Sequence, residues 1–108
     1  MKFTDDQIAD IGEEIIKVLK TVYDPEIPVD IYELGLVYDV QISDDADVKI
    51  IMTLTTPNCP VAETLPQEVK DKVAEVENVK SVDLELTFEP SWHKDMMSEE
   101  AKFELGML

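Results

Sequence analysis

Cys59 is the only sulfhydryl of the chain. It stands in the run Thr55-Thr56-Pro57-Asn58-Cys59-Pro60, at the end of an apolar, strand-like stretch. A cysteine that closes a strand and precedes proline is placed on a turn, where its thiol can face outward. Cysteines within apolar runs behave instead as small hydrophobes. Thiolate is the form that binds metal or attacks sulfur, so exposure and ionisation decide whether the residue is competent. Pro60 is of a type favoured at the first position of a helix. A helical turn starting there would put unpaired N–H groups and the positive dipole end beside the sulfur, favouring the thiolate. The negative charge of the chain opposes this, and no Lys or Arg lies between Met52 and Gln67. A mildly activated thiol is the expectation; a cysteine packed under the turn and chemically silent is its alternative.

Several elements must hold that turn. Thr4 and Gln7 have capping-box spacing, with Phe3 and Ile8 spaced as a hydrophobic staple across the cap. Ile8, Ile11, Ile15, Leu19 and Val22 form one helical stripe, which predicts a helix to about Val22, ended by Asp24-Pro25. A loop with Pro25 and Pro28 runs to Leu34, and Gly35 then opens a strand alternating through Leu36, Tyr38, Val40 and Ile42. The turn residues Ser43-Asp44-Asp45-Ala46-Asp47 lead to a second strand, Val48 to about Thr55, with Val48, Ile50, Met52 and Leu54 on one face. So short a link predicts an antiparallel hairpin.

Beyond Cys59, Ala62, Leu65, Val69, Val73 and Val76 mark a second helix. Pro66 leaves two starts open, because an interior proline kinks or breaks a helix. Either the helix begins at Pro60 and kinks, or a single turn precedes a start near Leu65. Glu77-Asn78 closes it. Val82, Leu84, Leu86 and Phe88 then alternate with polar residues in a third strand; the strand–helix–strand connection favours parallel pairing with its predecessor if the two are neighbours. Ser98 is the expected N-cap of a last short helix ending near Gly106. The order is α-β-β-α-β-α: a two-layer α+β sandwich with a small mixed three-stranded sheet and helices over one face.

The chain has 108 residues, read as one domain over 1–108, and 44% of them are hydrophobic. Its 25 acidic and 9 basic residues give a net charge of −16, which argues against nucleic acid and anionic membrane surfaces as partners. That acidity serves solubility or forms a docking face for a basic partner. One cysteine cannot make an internal disulfide, and the N-terminus has no signal-peptide pattern, so a cytoplasmic location is expected.

Three segments together carry a resemblance. The run from Asp24-Pro25-Glu26 through Leu34-Gly35-Leu36-Val37, the Thr55–Pro60 turn and Phe88-Glu89-Pro90-Ser91-Trp92 resemble, in order, the signature of the SufT- and PaaD-like family. Ser98-Glu99-Glu100-Ala101 with Leu105-Gly106 is similar to its C-terminal stretch. Members are small accessory proteins of iron–sulfur cluster assembly. The resemblance implies a role in helping a cluster, or its iron, reach a client apoprotein. It also implies that the loop of Asp24 and Glu26 meets the cysteine turn, where their carboxylates would support Cys59. Alternatively, Asp24 bonds nearby backbone in an Asx turn. Thr55 and Thr56 offer hydroxyls that bond the sulfur or hold the turn.

A resident cluster or structural zinc needs about four ligands, mostly Cys and His. Cys59 and His93 cannot supply them within one chain. The expected cargo is therefore a transient iron–sulfur cluster or iron, exchanged with scaffold or carrier proteins and client apoproteins, with a homodimer as one way of completing the ligand set. A thiol enzyme would need a base near its nucleophile, and the motif around Cys59 contains none. A non-catalytic carrier is favoured, with a recruiting adaptor as the other alternative. Trp92 is expected to anchor the C-terminal segment or to meet a client. His93 is an exposed side chain or a ligand. Met96, Met97, Phe103, Met107 and Leu108 form an apolar tail expected to pack on the sheet, or else to meet a second copy or a client.

Overall fold

Thr4 caps the first helix as its spacing predicts. Its hydroxyl accepts from the Gln7 amide at 3.2 Å, and the Gln7 side chain accepts from the Thr4 amide at 2.8 Å. The structure is a computed structural model and describes residues 2–24, 27–54 and 64–106. Helix α1 spans Asp5–Leu19 and buries Ile11, Ile15 and Leu19. It stops short of Val22 and of the Asp24-Pro25 break. Thr21 turns the chain early: its amide and its hydroxyl both donate to the Val18 carbonyl, at 2.9 and 2.6 Å. Val22 still enters the core, fully buried, from outside the helix.

Strands β1 (Val37–Ile42) and β2 (Asp47–Met52) pair antiparallel, and β3 (Ser81–Leu86) lies parallel to β2 on its other side. The hairpin turn is closed by the Ser43 amide on the Asp47 carbonyl and by the Asp47 amide on the Ser43 hydroxyl. Val48, Ile50 and Met52 of β2 are buried, as their alternation requires. β1 departs from the expected alternation. The register shifts between Val37 and Asp39, so Tyr38 is an extra residue and Val37, not Tyr38, shares a face with Met52.

Helix α2 (Thr64–Ala74) puts Leu65, Val69 and Val73 into the core beside α1. Pro66 falls in its first turn, where a missing N–H costs no helical bond. The helix is described from Thr64; the choice between a start at Pro60 and one near Leu65 falls on residues outside the described ones, which include Ala62. Asn78 takes a left-handed conformation, φ 74°, as the chain turns back toward β3. Each large core side chain contributes about 1.5–3 kcal/mol by leaving water. The exposed Lys49–Glu85 pair, at 3.8 Å, belongs to a class worth about 0–1 kcal/mol. Burial holds the sheet to its helices.

After β3, a 3₁₀ turn not expected from the sequence (Lys94–Met96) precedes α3 (Glu99–Glu104). Ser98 caps α3, its hydroxyl accepting from the Ala101 amide at 3.1 Å, and Gly106 follows at φ 74°. The apolar tail does not pack on the sheet as a unit. Met97 is buried and Met96 touches Tyr38, but Phe103 is 73% exposed, and Met107 and Leu108 lie outside the described residues. α3 buries Ala101 completely in the core, and the Ser98 amide ties its start to the Glu33 carbonyl. Among the described residues no helix is long and apolar enough to cross a membrane.

Candidate functional site

The pairing registers decide where the motif segments meet. Met52, at the end of β2, is opposite Val37 at the start of β1 and Leu86 at the end of β3. The loop entering β1, the chain leaving β2 toward Cys59, and the segment leaving β3 toward Trp92 therefore gather at one end of the sheet. Hydrogen bonds join them there. The Thr53 amide donates to the Leu36 carbonyl, and the Thr87 amide donates to the Met52 carbonyl, both at 2.8 Å. The Trp92 indole donates to the Leu34 carbonyl, and the Tyr38 hydroxyl donates to the Pro90 carbonyl, both at 2.7 Å. Trp92 thus anchors the C-terminal segment.

Gly35 makes this convergence possible. Its φ of +81° suits glycine, and a Cβ there would run into the Met96 carbonyl. It forms a turn before β1 instead of opening the strand.

Of the residues expected at the site, Cys59, Glu26, Thr55 and Thr56 lie outside the described residues. Asp24 is described and is 4% exposed. Its Oδ1 accepts from the Ile27 amide at 3.1 Å, which is the local backbone bond expected of an aspartate before proline. His93 is well exposed, with Nδ1 4.0 Å from an Asp95 carboxylate oxygen. Among the described residues, no three His, Cys, Asp or Glu side chains are grouped to hold a metal ion.

Two residues at this end were not anticipated as site residues. The Thr53 side chain is fully buried, and its Oγ1 has no hydrogen-bond partner among the described residues. Buried hydroxyls are nearly always paired, so this one stands out at the point where the chain leaves β2 toward the cysteine. Tyr38 lies beside it, displaced from the alternation by the bulge. Burial raises the Tyr38 phenol above its ordinary pKa, and the nearby Thr53 hydroxyl partly opposes the rise. The phenol itself donates to the Pro90 carbonyl. Strand parity could have pointed to Thr53, a polar residue on the face away from Ile50 and Met52. Nothing local in the sequence signals the bulge at Tyr38.

A concavity of about 480 Å³ is elsewhere. It lies between α1 and α2, lined by Glu14, Val18, Thr21, Lys72 and residues 75–77, and includes neither Asp24 nor Thr53.

A mixed three-stranded sheet with helices on one face, at whose one end the chain enters β1 and leaves β2 and β3, sets the class, and comparison with known proteins identifies it. The chain belongs to the iron–sulfur cluster assembly protein family, whose model matches residues 12–86. A Porphyromonas gingivalis protein named "Fe-S protein maturation auxiliary factor" is 56% identical, over 89% of this chain and 91% of that one. The Bacillus subtilis "Fe-S protein maturation auxiliary factor YitW" is 43% identical, over 90% and 95%. Among solved structures, a domain of unknown function, DUF59, from Bacillus anthracis superposes with a TM-score of 0.85 at 35% identity, covering 93% of this chain and 95% of that one.

Proposed function

We propose that this protein is an iron–sulfur maturation factor that hands a cluster, or its iron, to client apoproteins through the Cys59 thiolate. Asp24, Glu26, Thr55 and Thr56 support the cysteine. The cargo is a substrate, held briefly. Its remaining iron ligands come from a scaffold or carrier protein, a small thiol or a second copy of the chain. Transfer is a ligand exchange without change of oxidation state. A client thiol gives up its proton as its sulfur bonds iron, and the Fe–S bond to Cys59 breaks, leaving the thiolate to take up a proton.

The observation that supports this reading is the meeting of the loop entering β1, the chain leaving β2 at Thr53 and the segment leaving β3 at one sheet end, with the only cysteine of the sequence following β2. The names of the P. gingivalis and B. subtilis relatives support the assembly role. Donor count supports transience, since one Cys and one His fall short of a resident site.

The test is anaerobic reconstitution with iron, sulfide and a low-molecular-weight thiol, read by absorbance and Mössbauer spectra. Wild type should take up iron, and Cys59→Ser should fall by about tenfold or more. A wild type that never acquires iron would overturn the carrier role. The acidic surface and the exposed Tyr23 and Phe103 favour one second reading, a recruiting adaptor. Cys59→Ala that still supports client maturation would assign the protein to it.

A further inference from the structure

The two margins of the sheet differ in what they offer a partner's backbone. On β1, the Asp39 carboxylate reaches forward to the Val40 amide at 2.9 Å and also accepts from the Gln41 side chain at 2.9 Å. With the bulge at Tyr38, this blunts the strand as a template. β3 has neither device. Its six residues run in unbroken register with β2, contain no proline, and among the described residues no side chain caps their backbone. Of the named elements only β2 and α2 pack on it. Half of its N–H and C=O groups therefore face outward.

Its side chains specify the occupant. Val82, Leu84 and Leu86 are half-buried on the helix face, leaving apolar surface at the margin. Asp83 and Glu85 are exposed on the opposite face, and Lys49 of β2 is the one cation paired there among the described residues. A second copy added antiparallel would set Asp83 and Glu85 against each other, and like charges directly opposite destabilise. The charges that turn away a second copy attract a basic strand.

We propose that β3 takes up an extended segment of a partner protein in which basic and apolar residues alternate, adding a fourth strand. The basic residues would face Asp83 and Glu85, and the apolar ones would extend the face of Val82, Leu84 and Leu86. This inference is independent of Cys59.

The probe is a labelled peptide of alternating lysine and valine, about six residues long to match β3, followed by fluorescence anisotropy on the full chain. It should bind about tenfold tighter than a peptide of the same composition in two blocks, the effect of two cross-strand ion pairs in register. N-methylation of alternate amides should abolish binding. Amide NMR shifts should map to Val82–Leu86 and spare Val40. Asp83→Lys with Glu85→Lys should lose the lysine peptide and accept a glutamate–valine one; should that variant not fold, the N-methylated probe on wild type still decides. Equal binding of the block peptide, survival of binding after N-methylation, or shifts confined to β1 would each overturn the proposal. So would a concentration-dependent dimer that excludes the peptide, which would assign the margin to a second copy.

Discussion

The two ends of the sheet are built on different terms. At the hairpin end, polar groups find each other: Ser43 closes on Asp47, and the Ser81 hydroxyl donates to the Asp47 carboxylate at 2.6 Å. The Phe3 amide ties the start of the chain to the Asp44 carbonyl. At the motif end, bonds such as Trp92 to Leu34 join residues 58 positions apart, and the buried Thr53 hydroxyl stays unpaired among the described residues. One end spends its polar atoms on holding the fold. The other keeps one in reserve where the cysteine segment departs, a pattern expected where function competes with stability.

Substitutions that separate the ends should differ in sign as well as size. Gly35→Ala should have the largest effect, about 2–4 kcal/mol of lost stability in urea unfolding. Left-handed strain and the collision with the Met96 carbonyl act together there. A loss under about 0.5 kcal/mol would show that the convergence tolerates slack.

Next come Ser81→Ala and Thr53→Val, which should move stability in opposite directions. Ser81→Ala removes a made bond and should cost about 0.5–1 kcal/mol with client maturation intact. Thr53→Val replaces an unpaired buried hydroxyl with a group of the same shape and should stabilise by about 1 kcal/mol. If Thr53 serves the cysteine, the more stable protein will mature clients less well. Unchanged maturation in Thr53→Val would reduce the contrast between the ends to packing.

The smallest effect concerns pH. The Tyr38 phenol is raised above its ordinary value of 10.0, so the folded state holds its proton more tightly than the unfolded state does. The stability this contributes is fully present below about pH 10 and is lost as pH rises through the folded-state pKa. Tyr38→Phe should remove that alkaline decline, measured by thermal unfolding above neutrality. An unchanged slope would mean that other groups cause it.

The sequence disclosed what is local. Thr4 with Gln7, Ser98 before α3 and the alternation of β2 and β3 each act over a few residues, and each is found in place. It misled where distant contacts override local pattern. Thr21 bends the chain before proline can, and the phenol of the bulged Tyr38 meets the Pro90 carbonyl, 52 residues away. Phe103 is apolar by type but lies on the face of α3 away from Ala101, which alone of that helix is buried, so it stays in solvent. The candidate site's motif segments and their order were legible, though Cys59, Glu26, Thr55 and Thr56 lie outside the described residues. Their meeting point was not, because only strand register brings Leu34, Met52 and Pro90 to one end.

Asp39's grip on the Val40 amide carries a consequence for how the sheet can be extended. A ribbon with two open sides can be lengthened from both; with the β1 side blunted, further strands can be added only beyond β3.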